Sequence, residues 1–80
     1  MIKATLETQG LKFEGKGESI DEAIADIGID YIKIKAKGII TIQDGKRKAE
    51  KLFVLPQLRR MFLNDLTRKL WAKRLELFLK

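Results

Sequence analysis

The stretch "MIKATLETQGLKFEGKGESIDEAIADIG", residues 1–28, decides the fold. Ile2, Ala4, Leu6 and Thr8 alternate with Lys3, Thr5 and Glu7, the two-residue period of a strand with one buried face. Gln9-Gly10 offers a two-residue turn. Closing a hairpin there sets Leu6 opposite Phe13 on the inner face and Glu7 opposite Lys12 on the outer face, so both pairings favour one register. Ser19 then opens a helix, and Glu22, three residues on, completes a capping box. Ile20, Ala23, Ile24 and Ile27 share one face of that helix, and Gly28 suits the position just past its end. The short helix is expected to lie on the sheet.

Downstream, residues 31–54 read as a second hairpin. Ile32, Ile34 and Ala36 alternate with Lys33, Lys35 and Lys37, and Asp44-Gly45 is a strong turn signal. Pairing about that turn sets Ile40 opposite Ala49 and Thr41 opposite Lys48, with Ala36 meeting Phe53 further out. Gly38, inside the strand, marks a bulge. Pro56 suits the first turn of a helix. From there to Lys80 the pattern runs on, which predicts one helix of about 25 residues and roughly 37 Å. The expected fold is a single α+β domain in the order β-β-α-β-β-α. It has a four-stranded, mainly antiparallel sheet, a short helix and a long C-terminal helix. Residues 1–54 supply the hairpin–helix–hairpin and residues 55–80 the long helix.

A chain of 80 residues makes one domain. It buries only about 60% of its unfolded surface, so its core is thin and association is a ready source of stability. There is no cysteine, hence no disulfide or thiolate metal site, and a reducing cytoplasm is the expected home. There is no histidine, which removes the commonest general base and the commonest metal ligand together. No segment approaches the roughly 18 apolar residues of a membrane span, and the alternating start lacks the apolar run of a secretion signal. Charge is uneven. Residues 1–40 hold six lysines against seven acids, a net −1, and residues 41–80 hold eleven basic residues against four acids, a net +7. An acidic partner would therefore meet the second half.

The closing stretch "RRMFLNDLTRKLWAKRLELFLK", residues 59–80, has more apolar residues than one helix face can hold. At about 100° per residue, Leu58, Phe62, Leu63, Leu66, Leu70 and Leu77 fall in one wide stripe, expected to cover the sheet. Met61, Trp71, Leu75, Phe78 and Leu79 project on the other side. A helix apolar on two sides usually has neighbours on two sides. The second stripe is accordingly read as an interface for another copy of the chain or another protein. Trp71, Leu75 and Phe78 are its anchors, Met61 and Leu79 lie beside them, and Arg68, Lys73 and Arg74 form a basic rim. The plainer alternative is that the rest of the chain wraps the helix and covers both stripes.

Catalytic signatures are missing. "GLKFEGKG" places Gly10, Gly15 and Lys16 as in a phosphate-binding loop, but Gly17 stands where that loop needs Ser or Thr, and the stretch is a strand. Glu18, Asp21, Glu22 and Asp26 cluster at the short helix, where acids suit the first turn and the cap. Ser19 and the threonines have no histidine base. The expectation is a non-enzyme with no cofactor, metal or small-molecule substrate. The competing reading is a nucleic-acid binder, with Lys46, Arg47 and Lys48 at a hairpin tip and Arg60 and Lys73 on the helix touching phosphates. Aromatic residues for stacking bases are too scattered to support it strongly, and basic residues at a hairpin tip also discourage edge-to-edge pairing.

The hairpin–helix layout of residues 1–28 resembles the start of small proteins encoded by bacteriophages and prophages of Gram-positive bacteria. It is also similar in layout to β-grasp domains, from which the long C-terminal helix departs. The phage resemblance implies a role in particle assembly, genome handling or host interference, in the host cytoplasm. It singles out no functional residue.

Overall fold

Strand β1 (Ile2–Thr8) turns through Gln9 and Gly10 into β2 (Leu11–Gly17) in the computed structural model, which describes residues 1–79. Both turn residues take positive φ, 56° and 75°. Leu6 pairs with Phe13 and Glu7 with Lys12, the register that the residue pattern predicts. Helix α1 (Ile20–Ile27) is capped at both ends. Ser19 Oγ accepts from the Glu22 N–H at 3.1 Å, and the Glu22 carboxylate accepts from the Glu18 N–H at 3.1 Å. Gly28 closes the helix at φ 68°, its N–H donating to the Ala25 carbonyl. That left-handed conformation favours glycine.

α1 lies directly on β2. A Cβ on Gly15 would collide with the Ala23 carbonyl oxygen and stand 2.5 Å from Ile27 N, and one on Gly17 would stand 2.6 Å from Glu22 Cβ. Gly15 and Gly17 thus let a helix approach a strand, and Gly10 serves the turn, which accounts for the glycines of "GLKFEGKG" without a phosphate.

The second hairpin differs from expectation in two ways. Residues Tyr31–Lys33 form a single 3₁₀ turn rather than a strand, and β3 (Gly38–Asp44) begins only at Gly38. Asp30 starts the turn by accepting from the Ile32 N–H at 3.1 Å. Side chains then hold the backbone that follows. Gln9 Oε1 accepts from the Lys35 N–H, Thr8 Oγ1 donates to the Ala36 and Lys37 carbonyls, and Arg59 Nε donates to the Ile34 carbonyl. Polar side chains therefore replace the ladder that the Ile/Lys alternation suggests, and Ile34 is fully buried without a strand around it. Lys33, Lys35 and Lys37 share no strand face, and Gly38 is the strand's first residue rather than a bulge.

The second difference is register. β3 pairs with β4 (Arg47–Phe53) so that Ile42 meets Ala49, Gln43 meets Lys48 and Gly38 meets Phe53, two residues from the expected pairing. Gly45, at φ 62°, takes the first loop position, and Asp44 closes the hairpin with an ion pair to Arg47 at 2.7 Å. An even shift keeps every side chain on its own face, so the buried set is unchanged.

The strand order is β2-β1-β3-β4, antiparallel throughout. Ala4, Leu6, Ile40, Ile42, Ala49 and Phe53 point to one face and are buried there under the helices. Lys3, Glu7, Lys12, Glu14, Gln43, Lys48 and Glu50 stand on the opposite face, where no element covers them. The result is a two-layer α+β domain.

The expected single C-terminal helix is two. Helix α2 (Leu55–Leu63), with Pro56 in its first turn, ends at Asn64, and α3 (Asp65–Phe78) starts there. Lys80, the last residue of the predicted helix, lies outside the described residues.

Candidate interaction surface

Asn64 decides which side of α3 faces the core. Its backbone is extended, at φ −121° and ψ 117°. Its N–H still donates to the Arg60 carbonyl at 2.8 Å, finishing α2. Its side-chain oxygen accepts from the Leu66 and Thr67 N–H groups at 2.9 and 3.3 Å, starting α3. An asparagine before an acidic first-turn residue is a helix-start signal that sequence reading could have used here. One extended residue restarts the helical phase, so a stripe counted continuously through position 64 does not carry over.

The inner side of α2 is Leu58 and Met61, both fully buried. The inner side of α3 is Arg68, Ala72, Leu75 and Leu79, with Trp71 at the margin. Arg68 crosses to α1, its Nε donating to Asp21 Oδ1 at 2.6 Å, and its Nη1 donates to Asp65 Oδ1 at 3.0 Å. The hydrogen bond that Arg68 donates to Asp21, outweighing the cost of burial, raises the guanidinium pKa above its ordinary value. A raised value means that this contribution is complete below the ordinary arginine range and is lost only in strong alkali. Trp71 meets the Phe53 ring edge to face, with centroids 4.9 Å apart and planes at 86°. The Arg74 guanidinium lies 4.9 Å from the Trp71 ring centre and Lys51 Nζ 5.7 Å from it, within the range of cation–π attraction.

The two apolar faces are therefore exchanged relative to the sequence reading. Met61 and Leu75 belong to this chain's own core, Arg68 is held inward by Asp21, and Trp71 and Leu79 pack against the core from its edge. Of the expected interface, Phe78 and the rim residues Lys73 and Arg74 are exposed. The stripe expected to cover the sheet keeps that place on α2, through Leu58 and the partly buried Phe62. Beyond them it looks outward: Leu63 is 60% exposed, Leu66 77%, Leu70 49% and Leu77 83%. On α3 the three exposed leucines fall within about 40° of one another around the axis, with Lys73 in the same line. Lys69 and Glu76 flank one side of this row and Arg74 the other.

The basic residues do not gather on one face. Lys48 stands on the outer face of the sheet, Lys46 at the β3–β4 tip and Arg60 on the exposed side of α2. Arg47 and Lys73 do line a common groove of about 370 Å³ between α3, the start of α1 and the β3–β4 tip. Glu18, Asp21, Asp44 and Glu76 line it as well, so its charge is mixed. Among the described residues no group of acids is placed to hold a metal ion, and no helix is long and apolar enough to cross a membrane.

Comparison with protein-family models, curated proteins and solved structures returns no match.

Proposed function

We propose that this protein is a non-catalytic interaction module that self-associates, or docks a protein partner, through the outward face of α3. The observation that supports this most directly is the row Leu66, Leu70 and Leu77, exposed on a helix whose opposite side already fills the core. An exposed leucine row on a small domain is a surface that water disfavours and a partner can cover. Leu63 on α2 and Phe78 at the end of α3 are exposed as well. Apolar side chains in the middle of such a patch lose water on binding, and the charged residues beside it form the polar rim.

The test is the molar mass in solution by light scattering across a range of concentrations and salt. The wild-type chain should exceed monomer mass as concentration rises and keep that mass in high salt, because apolar burial is not screened. A Leu66→Ser, Leu70→Ser variant should stay monomeric with an unchanged far-UV spectrum. Wild-type and variant chains behaving alike, both in mass and in capture of protein partners, would overturn the proposal.

A further inference from the structure

The proposal above leaves the occupant of the α3 face open; the charges beside the leucines select one. Resting on that reading, we propose that the occupant is a second copy of this chain, with the two α3 helices antiparallel and related by a two-fold axis near Trp71 and Ala72.

Leu66, Leu70, Lys73 and Leu77 are spaced four, three and four apart, the alternation of the two seam positions of a heptad. The seam is all leucine except for Lys73. Lys69 and Glu76 occupy equivalent positions on one flank, seven residues apart, and Thr67 and Arg74 occupy the other. These few residues give different results in the two possible orientations.

In a parallel, in-register pair, Lys73 would face Lys73 of the second copy across the seam. Lys69 would also lie beside Arg74 of the second copy on both flanks. Every charged contact would be between like charges, which disfavours that pairing. In an antiparallel pair centred near residues 71 and 72, Leu66 faces Leu77 at both ends. Leu70 faces Lys73, whose methylene stem can lie over the leucine while its ammonium reaches water. Lys69 comes beside Glu76 of the second copy, and the two-fold axis repeats the contact. A lone lysine in a leucine seam thus sets orientation and register at some cost in affinity.

The geometry permits this contact. The outward face of α3 lies opposite the side that packs on α1, α2 and β4. Lys69, Lys73 and Glu76 are exposed and form no ion pair within the described residues. An isologous contact of this kind closes on itself and stops at two copies. α3 is about 21 Å long, so the seam is short and the dimer is expected to depend on concentration.

The chain has no cysteine, which makes disulfide trapping clean. Leu66→Cys and Leu77→Cys are prepared as separate variants at exposed positions, and each is oxidised alone and then mixed with the other. The antiparallel pair predicts a disulfide dimer only in the mixture, because residue 66 of one copy meets residue 77 of the other. Disulfide dimers from Leu66→Cys alone would mean a parallel pair. That result would overturn this inference and leave the α3 face standing as an interface. No disulfide in any mixture, with the wild-type chain dimeric by light scattering, would likewise overturn the inference alone. A wild-type chain monomeric at every concentration would overturn the second copy as occupant. Capture of another protein, lost in the Leu66→Ser, Leu70→Ser variant, would then still uphold the α3 face.

Discussion

Arg68 Nε stands 2.6 Å from Asp21 Oδ1, tying the first turn of α3 to the first turn of α1. Both side chains are largely shielded from water, and this bond helps to set which side of α3 looks inward. Removing the carboxylate leaves a partly buried guanidinium with only exposed Asp65 to pair with. Asp21→Ala should therefore cost about 1–3 kcal/mol in urea unfolding. Adding Arg68→Met to Asp21→Ala should recover part of that loss, since a long apolar side chain fits the same path. A double variant no more stable than Asp21→Ala would show that the ion pair does not carry the effect.

The orientation of α3 makes paired leucines unequal. Leu75→Ala should cost about 2–5 kcal/mol, the range for emptying a buried leucine site. Leu66→Ala and Leu77→Ala, at exposed positions, should change stability by no more than about 0.5 kcal/mol when measured on monomer. Denaturant midpoints of the three variants decide this. The opposite ranking would mean that α3 is rotated by half a turn.

Asn64→Ala removes the side-chain acceptor for Leu66 N and Thr67 N. A loss of about 0.5–2 kcal/mol is expected, with Asn64→Asp close to wild type because aspartate caps equally well. Thermal unfolding followed by circular dichroism measures it. A gain of helix signal and stability in Asn64→Ala would mean that the chain prefers one continuous helix.

At Gly15, a single methyl group has nowhere to go against Ala23 and Ile27 of α1. Gly15→Ala should destabilise by about 1–3 kcal/mol through displacement of α1 from β2. A neutral result in urea unfolding would mean that α1 stands further from the strand.

Charge reversal probes the antiparallel pair independently of cysteine. Lys69→Glu and Glu76→Lys should each weaken self-association several-fold at low salt, and the double variant should restore it. Sedimentation or light scattering gives the dissociation constants. Additive losses in the double variant would count against Lys69 meeting Glu76.

Local chemistry made much of this fold legible. The Gln9-Gly10 turn, the Leu6–Phe13 pairing, the Ser19 cap and the Gly28 terminus all follow from residues close in sequence, and each stands as read. The β3–β4 register lies two residues from the one the pattern predicts because a glycine can serve either loop position, and the Asp44–Arg47 ion pair favours Gly45 in the first. The segment before β3 is not legible locally because its partners are distant: Thr8, Gln9 and Arg59 bind its backbone across 25 residues or more.

By itself, then, the sequence determined an α+β domain, its first hairpin and capped helix, the inward faces of its strands, and a C-terminal region with more apolar surface than one face can bury. Only the tertiary structure decided which of those faces turns inward on α3. Periodicity measures angles along one unbroken axis, and Asn64 ends that axis and begins another. The choice between the Leu66–Leu70–Leu77 face and the Ala72–Leu75–Leu79 face was then made by what waits on the other side: Asp21 for Arg68, and the Phe53 ring for Trp71. Those contacts join residues far apart in the chain, and no local pattern records them.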